Sequence, residues 1–235
     1  MNTQPTRKQE AESANPVCYI CGLGGADSRD HVVPYSFFKS PRLANILTLP
    51  AHYACHNNFD EEYARLILSG LGSEGSASAK ELWNTKTKRS FERSARLRES
   101  VRASLVPKVD LISPAGLVFD HTPGIRIETD RFYPLMRKII QGLYVHHIGE
   151  FLSPEFRSVW NPNALLELSS GRRRLLEASQ FGLLHSEIFG CRYLVGNQGT
   201  TEAWSVWWLC FYTDVVLRCY IPPRHLWSSS RKAKF

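Results

Sequence analysis

Two pairs of metal-ligand residues near the N-terminus constrain this chain more than any other feature of its sequence. Cys18 and Cys21 form a C-x-x-C pair, and His52 and Cys55 form an H-x-x-C pair about thirty residues later. Two such pairs can bring four sulfur and imidazole ligands to one tetrahedral ion, the arrangement that structural zinc prefers. The alternative is that they are ordinary buried thiols and a surface histidine, because a free cysteine packs as a small apolar side chain. The presence of two pairs at this spacing favours zinc.

Polar residues with catalytic potential lie between these pairs and directly after them. Asp30 and His31 are followed by Val-Val-Pro. Asn45 precedes a short apolar run, and His56 comes directly after the second pair. In this order the residues resemble an HNH endonuclease of the ββα-metal class, and the resemblance covers about the first 65 residues. An isolated Asp-His pair is usually structural, so the resemblance depends on the order of these residues inside the zinc motif.

The resemblance implies a role for each of these residues. His31 is expected to be the general base that takes a proton from water, and Asn45 is expected to hold the His31 ring in the right orientation and tautomer. Asp30 and His56 are expected to ligate a catalytic divalent ion, Mg²⁺ or a similar metal. Asp60 lies at i+4 from His56 and is expected as a further ligand, with the alternative that it is an exposed acidic residue in a first helical turn.

The chemistry of phosphodiester hydrolysis independently requires these residue types. The phosphate oxygens are negative, so a cation that neutralises the developing charge lowers the barrier. An imidazole with a pKa near neutrality is suited to activating water. His52 stands where the family commonly has a cysteine, and imidazole binds zinc as well. Zinc on these four ligands is expected to be structural, because four protein ligands leave no position for water.

A basic segment follows the predicted finger. Between Lys80 and Lys108, nine lysines and arginines oppose three glutamates, an excess of six positive charges in a chain whose formal net charge is +7. An excess of one sign beside a candidate nuclease finger favours phosphate binding without sequence readout over a solvated helix surface. We expect DNA rather than RNA as the partner. The residues expected to contact nucleic acid are Lys86, Lys88, Arg89, Arg93 and Arg96.

The spacing of apolar residues predicts an α+β fold with helices and antiparallel strands, and the resemblance implies that its first part is a zinc-stabilised ββα-metal finger, followed by a helical and antiparallel-sheet region. The predicted finger has strands over residues 32–38 and 46–49 and a helix over residues 53–71. A second long helix and three antiparallel strands are predicted over residues 131–150, 182–194, 204–212 and 215–221. The expected organisation is a disordered N-terminus (residues 1–15), the finger (16–72), a basic helical linker (73–108) and an α+β C-terminal domain (109–235).

The C-terminal part leaves three interpretations open. Trp204, Trp207 and Trp208 could stack on unpaired bases, but a strand of this kind is more often buried against helices. An exposed apolar patch around Trp207 and Trp208 would instead indicate a protein partner or a homodimer. The whole chain resembles a group of bacterial HNH proteins with a D-E-E-Y continuation of the finger, a G-L-Y-x-H helix and a tryptophan-rich C-terminal hairpin.

Composition and cysteine use indicate a folded protein of a reducing compartment. The chain is 43% hydrophobic and 11% aromatic, which excludes global disorder. The sequence has no apolar run of membrane-spanning length and no signal-peptide pattern, so a cytoplasmic location without membrane attachment is expected. Cys191, Cys210 and Cys219 are expected to be buried thiols. The competing function is a non-catalytic zinc-finger module that binds nucleic acid, in which Asp30 and His31 are structural.

Overall fold

The computed structural model describes residues 15–39, 45–112, 116–161 and 177–227. Within these ranges the fold is α+β, as predicted: an N-terminal β-hairpin beside the paired cysteines and histidine, a helical middle region and a C-terminal five-stranded antiparallel sheet. The N-terminus predicted to be disordered lies outside the described residues except for its last position. Within the part of the chain that is described, no helix is both long enough and apolar enough to cross a membrane.

A two-stranded hairpin and two helices form the N-terminal unit, residues 16–71. The hairpin pairs β1, Ser28–His31, antiparallel with β2, Thr48–Ala51. A short helix, α1, covers Tyr53–His56, and helix α2 covers Glu61–Leu71. Each strand has only four residues. Such short strands bury little surface by themselves, so the unit depends on what holds its loops and on what packs against it.

The bounds of these elements differ from the predicted ones for local reasons. The predicted strand over residues 32–38 is instead irregular backbone followed by a 3-10 turn over Tyr35–Phe37. Pro34 favours this path, because its ring fixes φ, here at −51°, and leaves no N–H for a strand ladder. The predicted helix over residues 53–71 is two helices, because the Asp60 side chain accepts a hydrogen bond from the backbone N–H of Tyr63 and caps α2.

The basic segment is helical as far as Ser104, and its last residues begin a strand. Helix α3, Ala77–Leu82, continues through a π-helical segment, Trp83–Thr87, into α4, Lys88–Arg93. Helix α5 covers Ala95–Ser104. A serine precedes both α3 and α5 and accepts a backbone N–H bond in the first turn, as N-capping residues do.

A hairpin and one long helix connect this segment to the C-terminal sheet. Strand β3, Leu105–Ile112, pairs antiparallel with β4, Val118–Ile125, and helix α6 covers Thr129–Ile148. The sheet has five strands: Val159–Asn161 (β5), Gln180–His185 (β6), Phe189–Gly196 (β7), Trp204–Phe211 (β8) and Val215–Ile221 (β9). They lie in the order β5-β9-β8-β7-β6, and all neighbouring strands are antiparallel.

One predicted strand of the sheet is in fact two. Residues 182–194 were expected to be continuous, but the chain turns between β6 and β7 at Ser186, whose φ is +56°. The backbone N–H of Ile188 donates to the carbonyl of His185 across this turn. Residues that favour strands lie on both sides of the turn, so the sequence pattern predicts one continuous strand and does not reveal the turn.

Helix α6 packs against both the N-terminal unit and the sheet. On one side Gly142 approaches Val32 so closely that a Cβ on Gly142 would lie 2.6 Å from the Val32 methyl groups. On the other side the ring of Tyr144 lies 6.1 Å from the ring of Trp207, which is fully buried. The helix therefore fixes the position of the N-terminal unit relative to the sheet.

The aromatic and cysteine side chains of the sheet are largely part of the core. Trp207 is fully buried and Trp208 is 5% exposed, so neither forms the exposed patch that a docking surface centred on them would require. Cys191 and Cys219 are buried free thiols, as expected, while Cys210 is partly buried.

The packing around the end of α6 predicts an acid-sensitive core. His147 stacks on Tyr193 with ring centroids 4.9 Å apart, and burial together with the charge of neighbouring His146 lowers its pKa from 6.5 to about 4. The unfolded chain therefore binds more protons than the folded chain between these pH values, so the stabilisation present above pH 6.5 is lost as the pH falls toward 4.

We expect the His147→Leu variant to take up about one proton fewer on unfolding across this window. The measurement is the free energy of unfolding by urea at several pH values for wild type and variant in the same buffers. His146 and His185, whose pKa values are also lowered by burial, remain in both proteins, so the difference between the two profiles reports the loss of the His147 ring. Parallel pH profiles for the two proteins would contradict the assignment to His147.

Candidate metal centre

Four side chains of the N-terminal unit converge on one point. The sulfur atoms of Cys18, Cys21 and Cys55 and a ring nitrogen of His52 all lie within 4.8 Å of one another. Cys18 is fully buried and the other three are partly buried. Among the described residues this is the one group of three or more cysteine, histidine or acidic side chains that could hold a metal ion. Its composition and spacing are those of a structural zinc site.

Backbone geometry brings the first pair together. The N–H of Cys18 donates to the carbonyl of Leu23, and the N–H of Gly22 donates to the carbonyl of Cys18, both at 2.8 Å. Gly22 has a φ of +78°, and a Cβ at this position would lie 2.6 Å from the ring of Phe151. Glycine is therefore required here both for the turn and for the close approach of Phe151.

The hydrogen bonds of His52 fix its tautomer. Its Nε2 lies 3.1 Å from the carbonyl oxygen of Gly24, which can only accept, so Nε2 carries the proton. The lone pair of Nδ1 then faces the sulfurs of Cys21 and Cys55, at 3.3 and 3.8 Å. A histidine whose second ring nitrogen is held by a carbonyl is the usual arrangement for a metal ligand.

The cysteines of the cluster lie close enough to change one another's thiol pKa values, as expected where several sulfur atoms surround a cation site. Burial raises the pKa of the Cys18 thiol, but hydrogen bonds from the backbone N–H groups of Cys21 and His52 outweigh this effect and lower it. Burial and the neighbouring Cys21 and Cys18 raise the pKa of Cys55 to about 12. A divalent cation among the sulfurs would supply the charge that allows all three to ionise.

A second pair of potential ligand atoms lies beside this cluster. The Nδ1 atom of His56 lies 3.8 Å from Oδ1 of Asp30, and both side chains are largely buried. Ser28 Oγ donates its one proton to the carbonyl of Ala51 at 2.8 Å, so it accepts from His56 Nε2–H at 3.1 Å. In the neutral ring this places the lone pair on Nδ1, which is directed at Asp30. Two atoms at this separation can share one divalent ion, since each bond to it is about 2.0–2.2 Å long.

The other oxygen of Asp30 is occupied by residues outside the hairpin. Its Oδ2 accepts a 2.5 Å hydrogen bond from the hydroxyl of Tyr19 and lies 2.7 Å from Nζ of Lys138, which is fully buried on α6. Burial, and then the charge of Asp30, raises the pKa of Tyr19 well above its usual value, so its hydroxyl stays a donor. The sequence interpretation missed Lys138. The available signal was a lysine among the apolar positions of α6, three residues after Leu135 and four before Gly142.

His31 ends strand β1 directly after Asp30. Its ring stacks on Tyr35, with centroids 5.0 Å apart and an interplanar angle of 26°. Burial lowers the pKa of His31; the charge of Asp30 opposes this shift and that of Lys138 adds to it. The imidazole is therefore neutral near pH 7, the form that can accept a proton.

Two other residues of the predicted site do not make the contacts that were expected of them. Asn45 is exposed, and within the described residues it makes no hydrogen bond to His31. Asp60 caps α2, and its Oδ2 accepts a hydrogen bond from Nε of Arg131 at 2.8 Å and lies 2.7 Å from Nη2 of the same guanidinium. These contacts are those of a structural carboxylate. The catalytic role of Asn45 and the metal role of Asp60 stay predictions.

The basic residues predicted to bind nucleic acid lie on and just before α4 and α5. One of them, Lys86, is partly buried and donates to the carbonyl of Ser36 at 3.1 Å. Ser36 is adjacent to Tyr35, which stacks on His31, so the basic segment contacts the turn beside the candidate base. The remaining four side chains are exposed to solvent: Lys88, Arg89, Arg93 and Arg96.

Loss of a sulfur ligand tests the cluster directly. We expect one zinc ion per wild-type chain, and we expect the Cys55→Ser variant to lose it together with on the order of 3–5 kcal/mol of unfolding free energy. Elemental analysis and urea unfolding measure the two quantities. Cys210→Ser, which changes a partly buried cysteine of the sheet, is the matched control and keeps its zinc. Equal zinc contents for the two variants would exclude the proposed ligand set.

Comparison with known proteins gives no match: the chain matches no protein-family model, no curated protein and no solved structure.

Proposed function

We propose that this chain is a metal-dependent HNH-type endonuclease that hydrolyses phosphodiester bonds in nucleic acid, with DNA as its preferred substrate. The observation that carries the proposal is the pairing of His56 Nδ1 with Asp30 Oδ1 at 3.8 Å, beside a neutral His31. The sequence order of these residues within the cysteine and histidine motif supports the same assignment.

His31 acts as the general base. Its stacking on Tyr35 restrains the ring, and its lowered pKa keeps a lone pair available to take a proton from the attacking water. Asp30 and His56 supply one carboxylate oxygen and one imidazole nitrogen as ligands. These two atoms would hold a divalent ion, whose charge would stabilise the scissile phosphate and the leaving 3′ oxygen.

Zinc on the Cys18, Cys21, His52 and Cys55 cluster serves the structure. It joins the loop before β1 to the start of α1, and α1 carries His56 one residue after a zinc ligand. The position of His56 relative to Asp30 therefore depends on the cluster. Four protein ligands leave no position for water on this ion, so it takes no part in the reaction.

The exposed cations of α4 and α5 supply the attraction for the substrate backbone. Contacts from Arg and Lys to phosphates hold a duplex in register without reading its bases. Lys86 links this surface to the turn that carries Tyr35. A strand bound along the basic helices would therefore pass close to His31.

A non-catalytic nucleic-acid-binding module is the second candidate, and a specific observation favours it. The charge of Asp30 is already balanced by Lys138, and Asp60 is engaged by Arg131, so both carboxylates have structural partners. A protein that only binds nucleic acid would need no more than this. Cleavage separates the two functions, because only the nuclease requires a base and a second ion.

We expect the zinc-loaded wild type to cut supercoiled plasmid with added Mg²⁺ or Mn²⁺. The His31→Ala variant should lose at least about 10²-fold in rate, because the general base is gone. His121→Ala is the matched control, because it removes an exposed histidine of the β3–β4 hairpin that pairs with Asp110. Zinc content is checked in all three proteins.

Two outcomes would decide against the nuclease. One is equal cutting by the His31→Ala and His121→Ala variants. The other is no cutting of DNA or of an RNA substrate by wild type that still binds DNA in a salt-dependent way, which would favour the binding module.

A further inference from the structure

We infer that the buried ammonium of Lys138 is a built-in counter-cation of the Asp30–His56 site, and that α6 thereby completes a centre whose other parts lie in the N-terminal unit. Lys138 is a positioning residue in this account, because it acts on Asp30 and not on the substrate. The inference deepens the proposed function and rests on it for its catalytic meaning.

The first support is burial. The side chain of Lys138 is 0% exposed and that of Asp30 is 8% exposed, with Nζ and Oδ2 2.7 Å apart. Among the described residues Asp30 is the one carboxylate within ion-pair distance of Lys138. Nζ makes no well-aligned hydrogen bond in the described part of the chain, and the ring of Phe59 lies 5.5 Å away. A buried ammonium with these surroundings is held chiefly by the charge of Asp30.

The second support is that the two carboxylate oxygens of Asp30 contact different side chains. Oδ2 faces the Lys138 ammonium and the Tyr19 hydroxyl, while Oδ1 faces His56. A divalent ion beside His56 would therefore share one carboxylate with a fixed positive charge. Because like charges repel more strongly in a poorly solvated site, Lys138 weakens the binding of that ion while it fixes the carboxylate.

The third support is that α6 is attached to the N-terminal unit independently of this ion pair. Gln141 donates to the carbonyl of Ile20 at 3.1 Å, and Gly142 packs against Val32. These contacts remain when only the charge of Lys138 is removed. A change in ion binding can therefore be separated from a change in the docking of the helix.

The test uses the zinc-loaded full chain and Mn²⁺ as the probe. We expect Lys138→Met to bind Mn²⁺ at least about 10-fold more tightly than wild type, measured by calorimetry, because the opposing charge is gone. Mn²⁺ should also raise the unfolding temperature of this variant more than that of wild type, since the ion takes over the neutralisation of Asp30. Lys138→Arg keeps the charge and should behave as wild type does.

Arg137→Met is the matched control. Arg137 is the neighbouring cation on α6, but it bonds to Ser158 and the carbonyl of Pro154, so its loss should leave Mn²⁺ affinity unchanged. The inference is overturned if Lys138→Met folds, keeps its zinc and binds Mn²⁺ no more tightly than wild type or Arg137→Met does.

A second variant covers the case in which Lys138→Met does not fold. Removing both charges, in Asp30→Asn with Lys138→Met, should restore folding, because no uncompensated buried charge then remains. Failure of the double variant to fold would also overturn the inference. If wild type cuts no nucleic acid but Lys138→Met gains Mn²⁺ affinity, the nuclease proposal fails and the counter-cation stands.

Discussion

The carboxylate of Asp30 is the group on which the N-terminal unit, α6 and the candidate active centre all depend. Burying a charge this deeply costs several kcal/mol unless it is paired and hydrogen-bonded. Here the compensation comes from Tyr19, which precedes the hairpin, and from Lys138 on α6. The same interaction therefore contributes to docking of the helix and leaves one oxygen directed at His56. The Asp30 side chain therefore contributes both to the packing of α6 and to the proposed metal site.

The cysteine and histidine cluster supplies what the short elements around it cannot. Two four-residue strands and a four-residue helix would not hold their relative positions through backbone pairing alone. A single ion on these four ligands would join the loop before β1 to the start of α1, and would fix the backbone on both sides of the hairpin. Close packing of Phe151 against Gly22 ties the same loop to the chain that follows α6. The N-terminal unit is therefore stabilised both by the cluster and by its packing against α6.

The parts of the site that are close in sequence were predictable and the parts that are distant were not. The spacing of Cys18, Cys21, His52 and Cys55 identified the cluster, because ligand pairs on short turns are a local signal. Strand bounds failed where Pro34 interrupts an apolar run and where Ser186 turns inside one. Asp60 resembled a ligand by spacing, but tertiary contact with Arg131 decides its partners. Lys138 lies more than one hundred residues from Asp30, and no sequence period relates the two.

Crystals of the zinc-loaded protein soaked in Mn²⁺ give the most direct test of a centre with two separate cation sites. Anomalous scattering recorded at the zinc and manganese absorption edges distinguishes the two metals. The account predicts zinc among the four cysteine and histidine ligands, and manganese beside Oδ1 of Asp30 and Nδ1 of His56, with Lys138 still on Oδ2. Manganese found only in the zinc cluster or on surface carboxylates, with none beside Asp30, would contradict it.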